Sequence, residues 1–342
     1  MNHRSRFVRI VASMMAMVLI FLCVPVASSA TAINTTTQIT YTRDFIVQNA
    51  VPVNDWNETV MYSAVGFFNL VEIEPFIPES DTTSALTTAT RILALISVGE
   101  LNKETAAENP EVKALSDLQK EDGSFGGFYE TVYSVMALNS CDAFFSSEKA
   151  VKNILSYQKE NGSFDIGDGS PILSTSRAMT VLSMYGTDPA VADALDKTIE
   201  YIRSTETEDG LFGDGRCDTF CAAMIGLVDV GVTVTGEDWG KLANNLVKFK
   251  NDDYSYNMYT EDEQFSSTAT LYAMAAFDAI GRGRSVYIRL MEDGELNQYS
   301  LKDYMPFLSG YGIIALVAVA FWVYLIFFRG RKRNEKAVKR ND

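Results

Sequence analysis

Two helical patterns alternate along the chain from about Val112 to Gly281. In the first, apolar residues recur at three and four on one face only, as in "EVKALSDLQ", "AVKNILSYQ", "ADALDKTIEYIRS" and "WGKLANNLVKF". A single stripe with a charged opposite face marks a helix on the outside of a fold. The second pattern opens with a small polar residue and then runs apolar nearly all round: "YETVYSVMAL", "STSRAMTVLSMYG", "CDTFCAAMIGLVDVG" and "SSTATLYAMAAFDAIG", with "TSALTTATRILALISVG" upstream. Such a helix is buried among its own copies. Between the two patterns stand the loops "EDGSFGG", "ENGSFDI", "EDGLFGD" and a degenerate "NDDYSYN". Leu95, Leu138, Leu182, Leu227 and Phe277 fall 43, 44, 45 and 50 residues apart, so the unit repeats at one period. Gly123, Gly162 and Gly210 let the chain turn at positive φ, and Phe125, Phe164 and Phe212 fold back onto each helix pair. A buried inner helix in every unit favours closure into a ring over an open stack. The pattern predicts an all-α barrel of five helix pairs, or six, over residues 56–283. Two flanking segments, "TTQITYTRDFIV" and "RSVYIRLMEDGELNQYSLK", alternate in the manner of strands and are expected to pair as a small sheet.

The ends of the chain differ in kind. Arg4, Arg6 and Arg9 precede the uncharged "IVASMMAMVLIFLCVPV" and the small-residue run "ASSATA". These are the three parts of a secretory signal peptide over 1–32, cut near Ala30 or Ala32, with an uncleaved anchor as the alternative. Residues 304–328 carry no charge. A helix of that length measures about 37 Å and spans a hydrocarbon core of about 30 Å with some tilt. The tail 329–342 holds seven basic residues, which stay cytoplasmic. The expected organisation is type I: an extended segment at 33–55, the barrel at 56–283, a membrane-proximal β-hairpin at 284–303, then the span and tail. The ectodomain faces the lumen or the exterior. The net charge of −15 becomes more negative once the basic ends are set aside, which argues against nucleic acid or anionic lipid as partner of the ectodomain.

"QKEDGSFG" and "QKENGSF" resemble the repeats of the prenyltransferase and squalene-cyclase superfamily, and that resemblance implies an α/α toroid. It also names chemistries to look for. Zinc-dependent prenyltransferases hold their metal with an Asp and a Cys at the start of one inner helix and a His at a later one. Here "GDGRCDTF" offers Asp214, Cys217 and Asp218, but Ser266 stands where the His is required, and the one histidine is His3. A residual soft-metal set of Cys217, Asp218 and Cys221 is weak beside the reading of two small residues in a buried helix. The Asp-x-Asp-Asp acid of the triterpene cyclases and the Cys-Gly-Glu-Gln of thioester proteins are absent from the sequence. Carboxylates remain at the expected mouth, among them Glu130, Asp165, Asp168, Asp214, Asp218, Asp262 and Glu263. They suit glycoside hydrolysis or Ca²⁺, although acidic residues also cap helix N-termini.

"NETVMYSAVGFFNLVE" is similar to the opening luminal helix of the ribophorin II family, which would imply a non-catalytic subunit of a glycosylation complex. Asn34, Asn57 and Asn161 lie in glycosylation sequons. The fourth loop puts Tyr254 where the others have glycine, so it is expected not to adopt the same turn. That loop also gathers Tyr256, Tyr259 and Phe265 beside Asp262 and Glu263, a candidate recognition surface together with Asp214 and Asp218. The reading is a membrane-anchored binding or scaffold module without cofactor, taking a protein, small-molecule or lipid ligand. Its alternatives are a prenyltransferase-like transferase, a carboxylate glycosidase and the ribophorin II-like subunit. The barrel interior discriminates: a deep apolar cavity suits an isoprenoid, an acidic cleft with aromatics suits sugar, and a plugged barrel suits a scaffold.

Overall fold

A computed structural model of the chain describes residues 34–65, 73–236, 239, 242–294 and 296. In chain order the helices are α1 (Thr35–Gln48), α2 (Trp56–Val65), α3 (Ala85–Ser97), α4 (Lys103–Ala106), α5 (Pro110–Asp117), α6 (Phe128–Ser140), α7 (Ser147–Leu155), α8 (Pro171–Ser183), α9 (Pro189–Ser204), α10 (Cys217–Asp229), α11 (Leu242–Leu246), α12 (Ser267–Arg282) and α13 (Val286–Asp293). Local chemistry sets many of their starts. Asn109 and Asp188 accept backbone N–H bonds at the N-termini of α5 and α9, each followed by a proline that has no N–H to satisfy. Ser84, Ser266 and Ser285 cap α3, α12 and α13 in the same way.

Among the described residues, six inner helices form a closed ring. α2 packs on α3, α3 on α6, α6 on α8, α8 on α10, α10 on α12, and α12 returns to α2. Their apolar residues make the core: Leu93, Val135, Leu138, Met179, Leu182, Met224, Leu227 and Phe277 are each essentially inaccessible. The outer helices α5, α7, α9 and α11 pack on this ring through their single stripes. The toroid expected from the repeats is therefore present, with six inner helices.

The loops repeat atom by atom. Gly123, Gly162 and Gly210 sit at φ +86°, +87° and +71°. In the first two loops the preceding Asp122 or Asn161 carboxyl or amide oxygen accepts the backbone N–H and hydroxyl of the following serine. The buried Phe125 and Phe164 then donate their backbone N–H to Thr131 and Thr175 on the inner helix. Gln119 and Gln158 tie each loop to the next outer helix: Gln158 Nε2 donates to the carbonyls of Gly162 and Ala194. Tyr254 corrects the expectation from sequence, because it adopts the same left-handed turn at φ +67°. Its Asp253 and Ser255 repeat the serine bonds, and Tyr256 donates to Thr270 as the phenylalanines do to their threonines. The side chain of Tyr254 finds room between Tyr41, at 4.7 Å between ring centroids, and the ammonium of Lys250.

Where they are described, both expected strand segments are mainly helical. Residues 35–48 form α1, which buries Ile39, Thr42, Phe45 and Ile46 against α12, a helical spacing hidden by five β-branched threonines. It stands as the outer helix beside the fourth loop, so the toroid begins near residue 35, not 56. Residues 286–293 form α13, not half of a hairpin. It touches α6, α2, α3, α8 and α12 and crosses one end of the barrel. Among the described residues there is no strand beyond three isolated bridges. The signal segment 1–32, residues 297–303, the span 304–328 and the tail 329–342 lie outside the described residues. Among those described, no helix is long and apolar enough to cross a membrane.

Candidate functional site

The two ends of the barrel differ. At one end the C-termini of the inner helices meet α13, whose residues Val286–Met291 are all buried. Asp229, at the end of α10, accepts from the Thr180 hydroxyl of α8 and from both the backbone N–H and hydroxyl of Ser285. Arg289 of α13 pairs with the buried Asp278 of α12. The floor is thus closed by hydrogen bonds and a buried ion pair.

At the other end the N-termini of the inner helices form a mouth, bound together by cross-links such as Thr268 to Glu58 (2.7 Å) and the Cys217 N–H to the Met258 carbonyl (2.8 Å). A cavity of about 410 Å³ opens there, lined by Ser170, Asp214, Arg216, Asp218, Tyr259 and Tyr272, among others. Arg216 grips Asp218 with both arms, Nε to Oδ1 at 3.0 Å and Nη2 to Oδ2 at 2.6 Å. Asp218, with Tyr259 in support, holds that guanidinium firmly in its charged form. Tyr259 is placed by Asp262, which accepts its backbone N–H at 2.9 Å. Beside the cavity, Tyr129 donates to Asp168 (2.7 Å) and stacks on Tyr133 at 5.7 Å, and Trp56 meets Tyr133 edge-on at 4.8 Å. All three rings are half-buried.

Beneath the mouth lies a polar centre. Arg177 of α8 is 3% exposed, and its Nη2 donates to Asn57 Oδ1 (3.0 Å) and to the Tyr272 hydroxyl (3.3 Å). Its guanidinium lies over the Tyr287 ring at 4.6 Å, and the Tyr287 hydroxyl donates to Asn57. A buried cation held by amide and phenol oxygens and a ring face is unusual, since buried charges ordinarily meet an opposite charge. Burial pushes the Tyr272 hydroxyl up to about 12. Tyr287 reaches from the floor helix to Arg177 and Asn57 and is 1% exposed, so the barrel interior carries a polar cluster and is not wholly apolar.

The sequence candidates divide. Asp214, Asp218 and Tyr259 line the cavity, and Asp262 shapes it. Tyr256 is wholly buried with its hydroxyl on Gln38, so it belongs to the core rather than to a recognition surface. Tyr254 packs on α1, as does Phe265, which meets Phe45 edge-on while 44% exposed. Glu263 is exposed and is not part of the cavity lining. Arg177, Arg216, Tyr272 and the Trp56, Tyr129, Tyr133 wall were not anticipated. The signal for Arg177 was present: it is the one charge in the otherwise uncharged "PILSTSRAMTVLS".

The donor set does not fit zinc. Arg216 bonds both Asp218 oxygens and sets a cation where a metal would sit, Cys217 is fully buried with its sulfur near Cys221 and the Ala269 carbonyl, and Ser266 is spent capping α12. Burial drives the Cys221 thiol up, away from the thiolate a metal needs. Of the sequon asparagines, Asn34 and Asn161 are exposed, whereas Asn57 is buried with its amide inside the polar centre, closed to modification in the folded protein.

No curated protein matches the chain. A family model for the prenyltransferase alpha-alpha toroid domain matches it twice, over residues 14–137 and 126–248, which together span more than half its length. With the closed ring of inner helices and the repeated Gly-Ser-Phe turns, those matches establish that the chain belongs to the prenyltransferase alpha-alpha toroid family.

Proposed function

We propose that this protein is a non-catalytic binding module, anchored in a membrane by residues 304–328 and presenting the mouth of its toroid to a ligand on the luminal or extracellular side. The observation that carries this reading is the floor. A helix pinned by Asp229 and Asp278 closes one end of the barrel, and Tyr287 and Arg177 occupy the volume in which a buried substrate would be processed. At the mouth a polar cavity opens on a closed ring of helices, a form that suits recognition. The zinc, alkene-protonating and thioester chemistries of the wider superfamily lack their residues. α13, the last of the described helices, ends at Gly294 on the floor side, beside Lys103, ten residues before the apolar span.

Site-directed photo-crosslinking tests the reading. The full chain is expressed in membranes with a photoreactive residue at Thr260 on the mouth rim, or at Lys197 on an outer helix. Discrete adducts from 260 and none from 197 are expected. Adducts from the outer face alone, or from neither site, would overturn it.

A further inference from the structure

The Tyr272 hydroxyl oxygen accepts from two donors behind it, Asn57 Nδ2 at 3.0 Å and Arg177 Nη2 at 3.3 Å. With both lone pairs so engaged, its own proton is left over, and among the described residues that proton has no acceptor. The side chain is 7% exposed, and what exposure it has is to the cavity it lines. A largely buried donor without a protein partner is costly to leave unmet, and the atom that can meet it is an oxygen that enters the cavity, a ligand hydroxyl in place of water. The opposite wall has the reverse deficit. Asp218 Oδ1 is filled by Arg216 and the Thr219 N–H, but Asp218 Oδ2 and the Asp214 carboxylate keep acceptor positions beyond their bonds to Arg216, because each carboxylate oxygen has about two. The ligand therefore accepts at one point and donates at others, as a hydroxyl-bearing molecule does.

The surroundings narrow its class. Trp56, Tyr133 and Tyr129 form a continuous half-buried aromatic wall, joined to the cavity through Tyr129, Asp168 and the following Gly169 and Ser170. Aromatic faces offer a flat surface to the C–H side of a ring. An isoprenoid would have to lie against Asp214, Arg216 and Asp218, whose desolvation by an apolar chain is unfavourable. A cationic amine would suit the rings and carboxylates, but Arg216 in the cavity and Arg177 directly behind Tyr272 both repel it.

We infer that the mouth of this toroid binds a neutral carbohydrate, with Tyr272, Arg216, Asp214 and Asp218 bonding its hydroxyls and the Trp56–Tyr133–Tyr129 wall carrying its apolar face. This rests on the binding-module reading and gives its ligand a class.

The full chain, in a detergent without a sugar headgroup, is titrated by calorimetry with maltohexaose, cellohexaose, mannohexaose and chitohexaose. Binding of at least one is expected, with a change in tryptophan fluorescence that is absent in Trp56→Phe. Tyr272→Phe keeps the ring and Asp214→Asn alters an exposed side chain; each should weaken binding at least fivefold. Tyr185→Phe, at the floor, should leave affinity unchanged. Retained thermal midpoints confirm that the variants fold. Binding indifferent to both mouth variants would overturn the inference, as would failure of all four oligosaccharides, or saturation of the cavity by farnesol or spermidine instead. Crosslinks at residue 260 without oligosaccharide binding would overturn the carbohydrate assignment alone. Absence of both would overturn the module reading too.

Discussion

At Gly162 the backbone sits at φ +87°, and a Cβ built there would lie 2.2 Å from the Lys197 carbonyl oxygen of the next outer helix. Gly99 has a similar φ of +81° with nothing within 4 Å of such a Cβ. The pair separates two causes. Gly99→Ala carries only the left-handed strain, about 1 kcal/mol, whereas Gly162→Ala adds displacement of α9 and should cost roughly 2–4 kcal/mol. Equal shifts in denaturant midpoint would mean the close approach to α9 contributes nothing. The positive φ was legible, because turn chemistry is local; the approach to Lys197 was not, because it involves a residue 35 positions away. The same limit explains the fourth loop. Tyr256 was read as an exposed anchor although it stands where Phe125, Phe164 and Phe212 are buried, and its single polar atom was weighed above its position in the repeat. Tyr256→Ser should therefore cost about 3–5 kcal/mol, the range for deleting a buried aromatic, while Tyr259→Ser should cost under about 1 kcal/mol and act on binding. Equal thermal stability of the two variants would contradict this division.

Among the elements, α1 and α13 were the two whose type was misread, for different physical reasons. The Thr-rich pattern of α1 mimics strand alternation, yet burial of Ile39, Thr42, Phe45 and Ile46 follows the helical period. In α13 six consecutive residues are buried because the helix crosses the end of the barrel, so no period of either kind shows in its sequence. The repeated helices were legible since each occurs in several copies; α13 has none. Its anchoring gives a pH dependence. Burial raises the Asp229 carboxyl from 3.8 to about 6, against the opposing pull of the Thr180 and Ser285 donors. The folded state thus holds this proton more tightly than the unfolded chain. The resulting stabilisation is fully present below about pH 4 and is lost as pH rises through about 6, and a shift of this size corresponds to about 1–3 kcal/mol. Asp229→Asn removes the titration. The stability difference between wild type and Asp229→Asn should change by that amount between pH 4.5 and 7.5, measured by denaturant unfolding. Parallel profiles would mean Asp229 titrates normally and does not couple protonation to the floor helix.

For the whole molecule the decisive feature is closure, since α12 returns to α2 and the N-terminal helix α1 packs on α12 beside the last repeat. Closure was legible in the buried character of every inner helix. That the first helix of the domain would complete the outer ring was not, because α1 runs on into "NAVPVNDW" and not into a Gly-Ser-Phe loop of the kind that marks the clearest units. In an open stack each terminal unit contributes only its interface with one neighbour, and losing it leaves the rest standing. In a ring, removing α1 uncovers the fourth loop as well. Tyr256 loses Gln38, Phe265 loses Phe45, and Tyr254 loses Tyr41. Burial of Ile39, Phe45 and Ile46 alone accounts for about 4.5–9 kcal/mol at roughly 1.5–3 kcal/mol per large apolar side chain. That is comparable to the whole stability of a typical domain, about 5–15 kcal/mol. Deleting residues 35–48 from the full chain should therefore abolish cooperative unfolding, whereas the intact ring should unfold in a single denaturant transition seen alike by circular dichroism and tryptophan fluorescence. A deletion variant that keeps a sharp transition near the wild-type midpoint would show that α1 is an appendage and that the ring is held by its inner helices alone.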